Sequence, residues 1–78
     1  MRGHKLNQLL ERTDAIARAM QACELPLREI NVRIRANLAT AADSEEHPRL
    51  TQRLSDLYSE MIEARAAVSA YLARKRAA

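Results

Sequence analysis

The stretch Thr40-Ala41-Ala42-Asp43-Ser44-Glu45-Glu46-His47-Pro48 interrupts a chain that otherwise repeats every seven residues. Upstream, a 3-4 spacing selects Leu6, Leu9, Thr13, Ile16, Met20, Cys23, Leu27, Ile30, Ile34, Asn37 and Ala41. Downstream it selects Leu50, Leu54, Leu57, Met61, Ala64, Val68 and Tyr71. Such spacing puts all its members on one stripe of an α-helix, and an apolar stripe must be buried against another helix. A polar stretch of this length between two helices makes them antiparallel neighbours. The expected fold is all-α: one domain, residues 1–78, with helix 1 at about 5–41, a turn at about 42–47 and helix 2 at about 48–76. This two-helix hairpin is expected to assemble into a four-helix bundle or coiled coil.

The turn supplies its own helix start. Asp43 or Ser44 suits an N-cap, Asp43 with Glu46 resembles a capping box, and the early acids suit the positive helix end. Pro48 is tolerated early in a helix. Pro26 is less comfortable, because an interior proline loses one hydrogen bond and crowds the preceding turn. The heptad phase nevertheless passes from Cys23 to Leu27 to Ile30 without a skip. Helix 1 is therefore expected to continue through Pro26 with a kink. Four acid-to-Arg pairs at i,i+4 support the helices: Asp14–Arg18, Glu24–Arg28, Glu29–Arg33 and Glu45–Arg49.

Pairing outward from such a turn sets Ala41 near Leu50, Ile34 near Leu57, Leu27 near Ala64 and Met20 near Tyr71. Helix 2 would then stop short of Leu6, Leu9 and Leu10, leaving those leucines for a partner. A second stripe on helix 1, with Ala22, Leu25, Val32, Ala36 and Ala39, lies nearly opposite the first. Tyr58, Ile62 and Leu72 flank the seam of helix 2. One hairpin seam cannot cover all of these, so the expected association surface is Leu6, Leu9, Leu10, Leu25, Val32, Ile62 and Leu72. Two polar residues interrupt the first seam. Asn37 either fixes register as a buried amide or bonds the loop backbone.

Composition narrows the function. With 13 Lys and Arg, 10 acids and a net charge of +3, the chain is mildly basic. The excess lies in residues 1–42, which hold seven cations against four acids. Cys23 is the only cysteine, which excludes an internal disulfide, and its seam position makes it a small buried hydrophobe. His4 and His47 are far apart, and neither is spaced with Cys23 as metal ligands are. Gly3 is the only glycine, so no phosphate-cradling loop exists. The expectation is a protein that is not an enzyme, with no catalytic, cofactor or metal residue and no small-molecule substrate. No signal peptide and no membrane span is expected, and the location is read as cytoplasmic.

The layout of two long helices about the acidic stretch Asp43-Ser44-Glu45-Glu46-His47-Pro48 resembles the small helical-hairpin proteins of bacterial type III secretion. The needle subunits of that group carry a Pro-x-Asp-Pro-like turn. Here only Pro48 matches, after Glu46-His47, so the resemblance leans to the co-chaperones that hold needle subunits before export. It implies a cytosolic chaperone-like adaptor that lays apolar helix faces against a helical protein. The reading of the residues is a protein–protein interaction module, self-associating as a homo-oligomer or docking on a partner's helices. The alternative is a small basic bundle that binds RNA or DNA, through Arg28, Arg33, Arg35, Arg74, Lys75 and Arg76. A helix lying on a membrane surface is disfavoured by the missing Trp and Phe.

Overall fold

The computed structural model describes residues 2–77. Two helices account for nearly all of them: α1 (Arg2–Arg35) and α2 (Ala41–Ala77). They lie side by side as an antiparallel hairpin of 59 × 17 × 16 Å. Its radius of gyration is 17.6 Å, whereas a compact domain of this length has about 12 Å. The molecule is a rod, one helix pair thick.

The seam follows the heptads. Ile16, Cys23, Leu27, Ile30, Leu57, Met61 and Ala64 are buried, and Ala17, Ala19, Met20, Leu50 and Leu54 pack against the central cluster. A two-helix rod is too thin to enclose large side chains, and none falls below 2% exposure. Cys23 is buried and free. Thr13 satisfies its hydroxyl within its own helix, donating to the Leu10 carbonyl at 2.7 Å. α1 runs unbroken through Pro26. The seam on both sides of the proline is buried, and that burial outweighs the local cost of the missing hydrogen bond.

The turn is earlier than its polarity suggests. α1 ends at Arg35, not 41, and α2 begins at Ala41, not 48. Asn37 adopts a left-handed conformation with φ 60°. The Leu38 N–H donates to the Arg33 carbonyl at 2.8 Å, and the Asn37 N–H to the Ile34 carbonyl at 3.1 Å. This pair of bonds is the Schellman closure, and Asn is the residue other than Gly that best tolerates its left-handed position. Asn37 is therefore an exposed helix stop, not a buried register residue. Replacing it with alanine is expected to destabilise the hairpin by about 1 kcal/mol, while glycine is neutral or better. Urea titration of the two variants checks the order.

Five residues after the end of α1, Thr40 caps α2. Its hydroxyl accepts the Asp43 N–H at 3.1 Å, and Asp43 in return accepts the Thr40 N–H at 3.0 Å. The capping box is Thr40–Asp43, not Asp43–Glu46. Asp43 also lies at the start of the α2 seam, since 43, 47, 50, 54, 57 and 61 keep the 3-4 spacing. Its first two members are polar, which is why the segment reads as a loop. Each has a polar partner on α1. Arg33 grips Asp43 with two bonds of 2.8 Å, and the His47 Nε2 lies 3.2 Å from Asn31 Oδ1.

Moving the turn by about six residues moves every cross-helix pair by about twice that number, since both arms slide. Leu27 shares a groove with Leu54, not Ala64. Met20 shares one with Tyr58 and Met61, not Tyr71. Ile34 falls beyond the seam and is 47% exposed. The arms are nearly equal, so no leucine overhangs. Leu6 and Leu9 are half-buried, and Lys5 sits beside Tyr71 and Arg74 near the end of α2.

Candidate interaction face

Apolar side chains left outside the seam fall on two ridges. On α1, Leu25 and Val32 stand seven residues apart on the side away from α2, each 58% exposed. Ala22 and Ala36 beside them are exposed as well. The second stripe is therefore present as surface, except that Ala36 and Ala39 lie beyond the end of α1.

On α2, residues 58, 62, 65, 69 and 72 step by 4, 3, 4 and 3 along one flank. Ile62 is 70% exposed, with Tyr58 and Leu72 also open. Across the open groove between the helices, Tyr58 and Ile62 face Ala17, Met20, Gln21 and Glu24 of α1. The groove continues toward the chain ends between Leu10, Asp14 and Ala17 on one wall and Arg65, Val68 and Ser69 on the other. Leu10, Ile62 and Leu72 thus share one side of the rod, while Leu25 and Val32 form the outer ridge of α1. Ile34 and Leu38 add exposed apolar surface at the turn. Their exposure follows from the early stop at Asn37, the one local signal that foretells it.

The basic residues divide. Arg33 is held by Asp43. The Asp43 carboxyl is buried and lies far below the ordinary carboxylate range, chiefly through the Arg33 bond and then the Thr40 N–H; the Arg33 pKa is raised, first by the same bond. Glu29, the expected i,i+4 partner of Arg33, adds only a longer-range attraction. Arg49 likewise pairs with Glu46 at 3.4 Å, not with Glu45. Arg33 is therefore engaged with Asp43 across the hairpin, through its Nε and Nη2. Arg28 lies beside Glu24 and Leu25 on the groove rim, and Arg35 is exposed at the end of α1. Arg74, Lys75 and Arg76 close α2 as its basic last turn.

Among the described residues no cluster of three or more His, Cys, Asp or Glu is arranged to hold a metal. Among them, too, no helix is long and apolar enough to cross a membrane. No protein-family model, curated protein or solved structure matches the chain. Its chemistry is legible only from its own surface, and that surface is apolar ridges and grooves on a rod.

Proposed function

We propose that this chain is a non-enzymatic interaction module, a helical hairpin that associates with itself or with the helices of another protein as a small adaptor. The observation that supports this most directly is the amount of surface left open. The hairpin exposes 6067 Å², whereas a compact monomer of 8.8 kDa exposes about 4,800 Å². The excess exceeds the roughly 800 Å² that each partner contributes to a standard interface. Part of it is apolar and continuous at helical spacing: Leu25 and Val32 on one ridge, Tyr58, Ile62 and Leu72 on the other. Scattered single hydrophobes would need no explanation, but ridges of this kind mark association surfaces.

A chaperone-like setting in type III secretion is a narrower form of the same proposal. It rests on the hairpin architecture alone, because the acidic stretch Asp43–Pro48 lies within α2 rather than in the turn.

The test is a chain carrying Leu25→Glu, Val32→Glu and Ile62→Glu. Far-ultraviolet circular dichroism should show helicity within about a tenth of the parent, since exposed positions contribute little to folding. Sedimentation should show association lost. A variant that unfolds would place these side chains in the core and defeat the proposal.

A further inference from the structure

Positive charge gathers at the open end of the hairpin. Residues 3–13 and 64–77 hold Lys5, Arg12, Arg65, Arg74, Lys75 and Arg76 against a single acid, Glu11, whereas residues 14–63 hold six Arg against nine acids. All six open-end cations are exposed. The two ion pairs among the described residues, Arg33–Asp43 and Arg49–Glu46, lie toward the turn and use none of them. Four of the six share one flank. Lys5, Arg74 and Lys75 line a groove together with half-buried Tyr71. Arg12 follows Lys5 by one heptad, about 10 Å along the same face of α1. Ala67, one heptad before Arg74, adds little bulk on the facing wall.

We infer that this flank binds single-stranded nucleic acid, with the phosphates on Lys5, Arg12, Arg74 and Lys75 and a base against the Tyr71 ring. An aromatic side chain set among cations is the combination that tracks a single strand, because the charges follow the backbone and the ring accepts any base. The groove at Tyr71 holds about 420 Å³, within the roughly 300–1,000 Å³ of clefts that take a small ligand, so one nucleotide has room there. The same flank offers no large apolar anchor of the kind that a protein or a membrane surface grips. Among the described residues, the exposed large apolar side chains of the open end are Leu10 and Leu72. Leu10 is about 140° round α1 from Lys5, and Leu72 about 160° round α2 from Arg74. Both belong to the flank of Ile62. The inference thus stands apart from the association proposed above, which uses the apolar ridges. Of the cations expected to meet nucleic acid, it keeps Arg74 and Lys75 and leaves out Arg28 and Arg35, which lie toward the turn.

Fluorescence anisotropy of a labelled, mixed-sequence single-stranded RNA of about 16 nucleotides, the upper site size of one small binding fold, tests this on the full chain. Four phosphate contacts on a single strand give a salt slope of about −3, so affinity should fall about fiftyfold between about 50 and 200 mM salt. Arg74→Ala with Lys75→Ala should flatten the slope to about −1.4 and weaken binding by about tenfold or more at the lower salt. Arg28→Ala with Arg35→Ala removes the same charge more than a Debye length away, and should change affinity by no more than about twofold. Tyr71→Leu should cost about tenfold at unchanged slope, because stacking carries no charge. Circular dichroism checks that each variant stays helical. Arg74 and Lys75 are exposed, so their variant keeps the test open even if Tyr71→Leu does not fold.

No binding at about 50 mM salt would overturn the inference. Equal losses in the Arg74–Lys75 and Arg28–Arg35 variants would reduce the effect to net charge and overturn it too. Polyglutamate bound as tightly as the RNA would give the flank to an acidic protein. Vesicles of phosphatidylserine and phosphatidylcholine bound in preference to the RNA would give it to a membrane surface. Either of these outcomes overturns the inference and leaves the apolar ridges and their proposed association untouched.

Discussion

Leu57→Ala is expected to destabilise the hairpin by about 2–5 kcal/mol, the range for truncating a buried leucine. Leu57 is 2% exposed at the middle of the seam, between Cys23 and the Met61–Ala64 turn of α2. A domain of 78 residues has only about 4–12 kcal/mol to lose. There is no second layer to collapse into the gap, because the rod is one helix pair thick. The melting temperature should therefore fall by about 8 °C or more. Thermal melts followed at 222 nm, at a concentration low enough to keep the chain monomeric, measure this directly. The control is Ile62→Ala, which at 70% exposure should change monomer stability by no more than about 0.5 kcal/mol. Equal losses at the two sites would mean that the seam does not run where the buried residues place it.

Asp43→Ala is expected to be the most damaging change of a charged residue. One carboxylate carries three duties at the turn. It accepts two bonds from Arg33, accepts the Thr40 N–H, and begins the α2 seam with 7% exposure. Losing a helix cap alone costs about 1 kcal/mol, or 4–8 °C of melting temperature for a domain of this size. Loss of Asp43 also strands a guanidinium that is itself only 40% exposed. A fall of roughly 8–15 °C is the expected reading, against 4–8 °C for Thr40→Ala.

The same carboxylate makes stability depend on pH, with a definite sign. Its folded-state pKa is depressed by Arg33 and Thr40. Its contribution is therefore complete above the unfolded carboxylate value near 4 and is lost as pH falls from there toward the folded value. The melting temperature of the parent should drop between about pH 4.5 and the acid limit more steeply than that of the Asp43→Asn chain. Parallel curves for the two would remove Asp43 from the account.

The contrast between these two sites shows which parts of the structure were open to sequence reasoning. Leu57, Met61 and Ala64 announce themselves, because an apolar residue every three or four positions has only one place to go on a helix. Cys23, Ile16 and Ile30 follow by the same rule, and Pro26 did not break the helix because the seam continues on both sides. The all-helical hairpin was thus written in periodicity. Asp43 and His47 belong to the same stripe but are polar, and a polar residue at a seam position looks like a loop until its partner is known. Arg33 and Asn31 are those partners, ten and sixteen residues away. No local pattern links them. The ion pair forms only after the chain has reversed at Asn37, and the reversal is set by a left-handed backbone angle.

From the amino-acid order alone came the two long helices, most of the apolar residues of their shared seam though not its polar start at Asp43 and His47, the continuation through Pro26, and the expectation of more apolar surface than one seam hides. These are consequences of side-chain spacing on a helix of known pitch, which needs no neighbour to be calculated. The tertiary structure alone decided where the chain turns, and with it the register. It brought α2 alongside Leu6 and Leu9, tied Arg33 to Asp43, and aligned Tyr58, Ile62 and Leu72 on one open flank. Register is a global property: a shift of a few residues at the turn displaces every pair along the rod. The bonds that select one turn over another join residues whose proximity exists only once the helices are packed.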